Sequence, residues 1–456
     1  MKTTKFFFMA ALALMTAACS NDDNDLTTPQ PQKAEGITIT AQLAPKTGGA
    51  TTRAVSDGGN KIISEWAENE HIAILYEVSS TKYVADATIT AVDGSGTATI
   101  TFTVDGGTPD NTACTLVYPY SAAKDDHSGV KDAATLLSAQ DGTLNANLDV
   151  RVGAGTIQTT TPGLDVTTQP EAQFAIFKFT LSGPSIDATH PLVIKDNASN
   201  TTITTVTPAS TATSVYVAMP AAASTTYKFV VITADNKYIK SGTATIEAGK
   251  YYQTPLTMSP RYPLALSSAT AEWDLGAVVC SDGNLYMEKN AAPSGKTAIG
   301  IVGKVTETGH GLILALQDAT NQTWKTIDGW PSLTYYAGTT LKMLPDDAAR
   351  GSLPSLIMLP TLLSDPFIVS NWCVAQKSDY EDIFINLGST KSDKDGYTYD
   401  SNVNAYITTG VGGAALYDSY WSATESNEFD AWCFYRDYCY DLTKSNIRSV
   451  RPVLGF

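Results

Sequence analysis

The sequence predicts a mainly β protein, with two β-sandwich domains in tandem followed by an α+β C-terminal domain. From Gly36 to Pro260, short runs of alternating apolar and polar residues are separated by turn residues. Such spacing is typical of β-sandwiches. Helical patterning is sparse in this stretch. Every tryptophan except Trp66 lies beyond Pro260, and this change in composition predicts a different kind of domain there.

The first sandwich is predicted over residues 36–165. Its first strand is Ile37 to Leu43, which alternates as a half-buried strand does. Thr97 to Val104 alternates threonines with apolar residues, and Asp93 to Gly96 before it is a hairpin signal. Leu116 to Tyr120 is a further strand, interrupted by a proline.

The second sandwich is predicted over residues 166–260. Its clearest strands are Phe174 to Leu181, Val215 to Pro220 and Tyr227 to Ile232. In the first of these, Phe174 and Ile176 lie on one face, and Ala175, Phe177 and Phe179 lie on the other. Both faces are apolar, so we expect this strand to be buried on both sides near its start.

The C-terminal domain is predicted over residues 261–456. Ser378 to Glu381 has the pattern of a capping box, and the residues after it have helical spacing. Gly311 to Leu316 and Ser449 to Phe456 are predicted strands. The latter is apolar throughout its last residues, so we expect it to be docked in a sheet.

Residues 1–18 have the features of a lipoprotein signal peptide. Two lysines precede an apolar run, Phe6 to Met15, that is too short to span a bilayer. Small residues then lead to Cys19, the expected lipidation site, although Thr16 stands where such signals usually have leucine. A free Cys19 beside an ordinary secretory cleavage site is the alternative. Residues 19–35 are predicted to be a flexible tether.

An acidic run follows Cys19 and is similar to the surface-export signal of some Gram-negative lipoproteins. We therefore expect a palmitate-type lipid anchor on the exposed surface of the cell outer membrane. The 456-residue chain is 43% hydrophobic, as a globular protein is, and its formal net charge is -16. No run of lysine or arginine is present, so nucleic acid is excluded as a partner on electrostatic grounds.

The cysteines do not define a metal site or a disulfide framework. Apart from Cys19 they are Cys114, Cys280, Cys373, Cys433 and Cys439. Their spacing fits no metal motif. A disulfide among the last three and fully reduced buried thiols both remain open, and the pairing of Cys280, Cys373, Cys433 and Cys439 is not fixed by the sequence.

The sequence predicts no enzyme, no catalytic residue, no cofactor and no metal site. Its four histidines are scattered, and it contains no nucleophile elbow, Walker loop or dinucleotide fingerprint. Asp393 to Gly396, with Asp400 beyond it, resembles a calcium loop but lacks the closing glutamate, so a solvated turn is favoured. Paired carboxylates for glycoside hydrolysis remain open as a minor alternative.

Between Gly36 and Pro260 the chain resembles a fimbrillin-family pilin. The resemblance rests on the lipoprotein signal and on Glu65 to Ile72, Tyr118 to Tyr120 and Ala248 to Tyr252. It implies two tandem transthyretin-like, Greek-key β-sandwiches. It also implies assembly into fimbriae with other fimbrillin subunits.

The resemblance further implies proteolytic maturation between Arg53 and Ala54, in the loop after the first strand. Loss of Ile37 to Leu43 would leave unpaired backbone groups beside an exposed core. A donor strand from a neighbouring subunit would fill that groove by β-augmentation. The alternative is that Arg53 is an ordinary solvated loop residue.

From Leu264 to Phe456 the chain is similar to a C-type-lectin-like domain. Tyr420 to Glu425, Ala431 to Phe434 and Val450 to Val453 carry this similarity. The calcium-dependent sugar motifs of animal lectins are absent, and fold similarity alone does not establish sugar binding. Whether a ligand would need calcium is left open.

An aromatic cluster near the C-terminus supplies the candidate ligand-binding residues. In this alternating segment we expect Trp432 and Phe434 to be buried. Tyr435, Asp437 and Tyr438 then remain as the candidates for contact with a glycan or a host protein.

The predicted function is that of an adhesive subunit at the tip of a fimbria. A chain whose C-terminal strand is docked could accept a donor strand but not give one. The alternative is an outer-membrane lipoprotein that binds polysaccharide or host glycoprotein without polymerising.

Overall fold

The computed structural model describes residues 36–46, 55–57, 62–323, 330–335, 339–343, 372–392, 396–397, 399–435 and 438–456. The predicted signal peptide, the tether and most of the calcium-like turn lie outside these residues. Over the described residues the chain is mainly β, with several sheets and few helices, as predicted. None of the helices in this part of the chain is long and apolar enough to cross a membrane.

The first part of the chain forms one strongly curved sheet. In chain order its elements are β1 (Ile37–Leu43), β2 (Val55–Asp57), β3 (Ile62–Ser64), β4 (His71–Val78), β5 (Thr81–Val92), β6 (Ala98–Val104), β7 (Thr112–Tyr118), α1 (Ala133–Leu137), β8 (Ala139–Gln140), β9 (Arg151–Gln158) and β10 (Gly163–Ala172). Seven of the strands pair in the order β1-β6-β5-β4-β7-β9-β10. The sheet curves until its edge strands β1 and β10 contact each other. The enclosed core includes Ile39, Leu43, Trp66, Ile72 and Phe102.

The second part is a sandwich of two sheets. Its strands are β11 (Phe174–Ser182), β12 (Leu192–Asp196), β13 (Thr202–Val206), β14 (Ser214–Pro220), β15 (Ala222–Ile232), β16 (Lys237–Ile246), β17 (Tyr251–Thr257) and β18 (Ser259–Pro260). A three-stranded sheet, β14-β11-β17, faces a six-stranded sheet, β18-β16-β15-β12-β13-β8. Phe179 and Phe229 meet edge to face between them, with ring centroids 5.3 Å apart.

Strand β11 is buried on both faces, which confirms the prediction from its sequence. Ala175, Phe177 and Phe179 belong to the core of the sandwich. Phe174 and Ile176 point the other way, into a second apolar cluster that also contains side chains of β4 and β7. This cluster packs the second part of the chain against the first.

The boundary predicted between residues 165 and 166 falls inside β10. That strand runs to Ala172 and pairs with β9 of the first sheet. In addition, β8 leaves the first part and pairs with β13, in parallel, at the edge of the second. Gln140 secures this crossing, because its Nε2 donates to the carbonyl of Ala218 at 3.0 Å. The first part of the chain therefore contributes a short strand to a sheet of the second part.

The remaining strands and helices follow Pro260. They are β19 (Leu264–Ala265), β20 (Val278–Cys280), β21 (Asn284–Tyr286), β22 (Ala298–Glu307), β23 (His310–Ala315), β24 (Ala319–Thr323), β25 (Trp330–Tyr335), β26 (Thr339–Met343), β27 (Trp372–Val374), α2 (Lys377–Asn386), β28 (Lys391–Ser392), β29 (Gly396–Tyr397), α3 (Ser401–Thr408), β30 (Tyr420–Glu425), β31 (Asp430–Tyr435), β32 (Tyr438–Thr443), β33 (Ile447–Val450) and β34 (Val453–Gly455). Nine of these strands form one sheet and five form another. Strand β34 is paired on both sides, with β23 and with β27, so the last strand is docked as predicted.

Helix α2 lies where the capping pattern predicted a helix. It begins one residue before Ser378, because the Asp379 carboxylate accepts from the backbone N–H of Gln376 at 3.3 Å. The residues at helical spacing are buried, namely Tyr380, Ile383 and Phe384. Helix α3 was not predicted. Asp400, considered above as part of a calcium-like turn, caps it by accepting from the N–H groups of Asn402 and Val403 at 2.8 and 3.1 Å.

Polar contacts join the second part to the segment that follows it. Asp274 is fully buried. Its carboxylate accepts from Arg261 Nε at 3.0 Å, from the Tyr262 hydroxyl at 3.2 Å and from the Thr270 N–H at 2.7 Å. Asn236, in the turn between β15 and β16, donates through Nδ2 to the carbonyl of Tyr262 at 2.7 Å. These bonds fix the chain as it leaves the sandwich.

We expect D274A to lower the free energy of unfolding of this junction by about 3–5 kcal/mol, because it leaves the Arg261 guanidinium without its buried partner. Scanning calorimetry should show the loss as a lowered unfolding temperature. The control is D235A, at an exposed aspartate in the neighbouring turn, which should change little. Equal unfolding temperatures for the two variants would contradict this account.

Candidate functional site

Strand β1 forms one edge of the first sheet and seals its core. Among the described strands it pairs only with β6, in an antiparallel register that sets Ile37 to Leu43 against Val104 to Ala98. Its exposure alternates along the strand, and Ile39, Ala41 and Leu43 point into the core. The structure therefore confirms the position of the predicted strand and the side chains that it directs into the core.

The other face of β1 carries threonines. The Oγ1 atoms of Thr38 and Thr103 are 3.4 Å apart, and those of Thr40 and Thr101 are 3.5 Å apart. These cross-strand pairs are exposed, and such pairs contribute modestly to sheet stability. The strand is consequently held by one backbone ladder and by a single row of apolar side chains.

Removal of β1 would uncover a groove with an unpaired edge. The side chains of Ile100, Phe102 and Val104 on β6 point into the core that β1 covers. Burying one large aliphatic side chain contributes roughly 1.5–3 kcal/mol, so loss of Ile39 and Leu43 would be costly until another strand replaced them.

Three residues after β1 the chain buries a lysine. The Lys46 side chain has 0% exposure, and its Nζ lies 3.6 Å from Asp149 Oδ2 and 3.7 Å from Glu70 Oε2. Nζ also lies 3.6 Å from the ring centroid of Tyr118 and 4.2 Å from that of Trp66. Burial lowers the pKa of Lys46 to about 8, although the two carboxylates oppose the shift.

The groups around Lys46 are bound to one another. Arg151 Nε donates to both oxygens of Asp149, at 2.9 and 3.0 Å, and the Ser64 hydroxyl also donates to Asp149. The Tyr118 hydroxyl donates to Glu70 Oε1 at 2.6 Å, and burial raises the pKa of Tyr118. Every oxygen of the two carboxylates thus has a donor other than Lys46.

The chain is anchored again at Asp57, on the far side of the predicted cleavage site. The Asp57 carboxylate accepts from Lys178 Nζ at 2.6 Å and from the Tyr216 hydroxyl at 2.7 Å. The hydrogen bond to Asp57 raises the pKa of Lys178. Both partners lie in the second part of the chain, on β11 and β14. The segment 47–54 therefore connects two fixed points.

The residues predicted for maturation lie outside the described part of the chain. They are Cys19, Arg53 and Ala54. Lipidation and cleavage there stay predictions. The anchors at Lys46 and Asp57 were not predicted, because a lysine at the end of a strand and an aspartate within a polar loop are common in solvated turns.

The predicted ligand-binding residues are only partly described. Tyr435 is half-buried and ends β31, with its backbone opposite Tyr438 of β32. Asp437 and the side chain of Tyr438 lie outside the described part, so a shared site of the three residues stays a prediction. Phe434 is fully buried as expected, whereas Trp432 is half-buried and lies beneath Lys377, with Nζ 4.8 Å from the ring centroid.

Two exposed aromatic side chains in this part were not predicted. Tyr417 is 66% exposed and Phe429 is 67% exposed. Phe429 is held on a firm turn, because the Asn427 Oδ1 accepts from its N–H at 2.7 Å and from the N–H of Asp430 at 2.9 Å. No periodicity in the sequence separates these aromatics from those that are buried.

Three of the described thiols are poor nucleophiles. Cys114, Cys280 and Cys433 are buried, and burial raises the pKa of each to about 12. Over the residues that the structure describes, no group of three or more histidines, cysteines or carboxylates is arranged to hold a metal ion.

Comparisons with known proteins find neighbours among solved structures. A fimbrial protein from Bacteroides ovatus is 13% identical, with 92% of this chain and 100% of that chain covered and a TM-score of 0.26. A protein from the same species, provisionally described as a cell adhesion protein, is 14% identical over 50% of this chain and 95% of that chain, with a TM-score of 0.29. The minor pilin GBS52 of Streptococcus agalactiae is 12% identical over 49% and 96%, with a TM-score of 0.22. No protein-family model and no curated protein matches the chain.

Proposed function

We propose that this chain is a fimbrillin-like subunit of cell-surface fimbriae. Cleavage between Arg53 and Ala54 would release β1, and a strand from a neighbouring subunit would replace it. The observation that carries the proposal is the position of β1, an edge strand that seals the core through one ladder. The proposal assigns no catalytic activity to the chain.

The fixed points on either side of the cleavage site support this proposal. Before cleavage, the covalent link through residues 47–54 keeps β1 close to its groove, so any release is rapidly reversed. After cleavage, the released segment is held only by non-covalent contacts, namely its ladder, its buried side chains and the contacts of Ala44 and Lys46. A strand of the same length, with apolar side chains at the same alternate positions, could then compete for the groove by β-augmentation.

The proposed place of the subunit is the fimbrial tip. Strand β34 is paired on both sides, so donating it would dismantle a sheet. The chain would accept a strand through the β1 groove and present residues 261–456, proposed as a C-type-lectin-like domain, to a glycan or protein ligand. Tyr435, Asp437 and Tyr438 remain the proposed contacts.

The proposed lipid on Cys19 would hold the subunit on the outer membrane before maturation. Residues 19–35 would form its tether, followed by the first sandwich from residue 36 and the second up to residue 260. Cleavage after Arg53 would discard the lipid together with β1, and the subunit would leave the membrane as it enters the fimbria.

An arginine-specific protease tests the proposal on the full chain. We expect a fragment that begins at Ala54, followed by strand-exchanged complexes with fimbrillin subunits. R53K should give neither, because it keeps the charge but not the cleavage specificity. N-terminal sequencing and gel filtration provide the readouts. A chain that stays intact at Arg53 and forms no such complex would favour a surface lipoprotein that binds its ligand without polymerising.

A further inference from the structure

We infer that the groove filled by β1 binds a strand with an uncharged side chain at the position of Lys46 more tightly than it binds β1. Lys46 would then weaken the binding of β1 and allow another strand to replace it. This inference rests on the proposed strand exchange and adds to it the chemistry of the partner. The partner strand would have three apolar side chains at alternate positions, as Ile39, Ala41 and Leu43 have. An uncharged side chain would follow three residues after the last of them.

The carboxylates around Lys46 have hydrogen-bond donors, whereas the Lys46 amine has no hydrogen-bond acceptor among the described residues. Asp149 and Glu70 have donors on all their oxygens without Lys46. Lys46 Nζ is buried and, among the described residues, makes no hydrogen bond. Its distances of 3.6 and 3.7 Å to the carboxylates are too long for one. The buried ammonium is compensated only by its two ion pairs and by the faces of Trp66 and Tyr118, so part of its desolvation cost remains.

Two aromatic rings at this place can pack against an apolar side chain as well as against the ammonium. The rings of Trp66 and Tyr118 lie edge to face, with centroids 5.3 Å apart, and both contact the place where the Lys46 amine lies. Trp66 Nε1 donates to the backbone carbonyl of Ala44 at 2.9 Å. That bond fixes the chain before Lys46, and any strand with a carbonyl at the same place could accept it.

Departure of Lys46 leaves both carboxylates with hydrogen-bond donors, although Glu70 loses its cationic partner. Arg151 stays paired with Asp149, and Glu70 keeps the Tyr118 hydroxyl and the N–H of Ala67. The Glu70 side chain is 14% exposed, so water reaches it. Burial lowers the pKa of Lys46 although both carboxylates oppose the shift, in agreement with this balance.

Hydrogen exchange on the uncut full chain tests the inference without relying on cleavage. At neutral pH we expect K46M to slow exchange of the β1 amides about tenfold or more. The matched control is K82M, at an exposed lysine of the same sheet, which should leave β1 unchanged. Faster or unaltered exchange of β1 in K46M would overturn the inference.

Peptide competition on the cleaved full chain tests the partner's chemistry. One peptide copies residues 37–46, and the other has methionine in place of the lysine. We expect the methionine peptide to bind about tenfold more tightly. Equal or weaker binding of that peptide would overturn the inference. Failure of both peptides to enter the groove would instead contradict the proposed strand exchange, while the exchange experiment on the uncut chain would still decide the role of Lys46.

Discussion

Joining β1 to β6 with the paired substitutions T40C and T101C should abolish strand release and every assembly step that depends on it. Thr40 lies directly opposite Thr101 in the ladder, and their Oγ1 atoms are 3.5 Å apart. Directly opposed residues of an antiparallel pair have Cα atoms about 4.5–5.5 Å apart, which is within the range that a disulfide spans. Both side chains point away from the core, so the substitutions leave the buried row of β1 untouched.

The measurement is made on chains cut by an arginine-specific protease. In the oxidised double variant, the fragment that contains β1 should stay attached on a non-reducing gel, and complexes with fimbrillin subunits should not form. A reductant should restore both release and assembly. The buried thiols should not interfere, because the pKa of Cys114 is raised to about 12 and it is little exposed.

The single variant T40C is the control and should behave as the natural chain. If the oxidised double variant assembled as well as T40C, β1 would not be the strand that leaves. The proposed maturation would then be wrong, even if the peptide bond after Arg53 is cleaved.

Local alternation is the reason that β1 and β11 could be predicted from the sequence. A strand that covers a core must place every second side chain inward, and the seven residues from Ile37 to Leu43 show this alternation. The two apolar faces of β11 predicted two buried sides, and the structure places one in the sandwich and the other against the first sheet.

Features that depend on distant partners could not be predicted in the same way. Lys46 is buried because Glu70 and Asp149 reach it from other loops, and nothing within a few residues of Lys46 indicates them. Asp57 likewise binds Lys178 on a strand far along the chain. The pairing of β10 with β9 joins residues 166–172 to the first sheet, and nothing close to residue 165 in the sequence indicates that pairing.

Retention of β1 should also strengthen as the pH rises above about 8. The pKa of Lys46 is about 8 in the folded chain, against 10.5 for a solvated lysine. Below about pH 8 the amine is protonated in both states, so its titration does not change the affinity of β1. Between the two pKa values the released strand binds more protons than the retained one, so retention becomes more favourable with rising pH.

We therefore expect the dissociation constant of the cleaved β1 fragment to fall about tenfold between about pH 8 and pH 9.5. The other charged groups that face Lys46 are Glu70, Asp149 and Arg151. Tyr118 is the remaining ionisable neighbour, and its pKa is raised by burial, so its hydroxyl keeps its proton.

The K46M fragment should consequently bind with the same affinity over this whole pH range. A pH dependence that persists in K46M would assign the effect to another group, and a natural fragment whose affinity does not change would show that the Lys46 amine is solvated while β1 is in place.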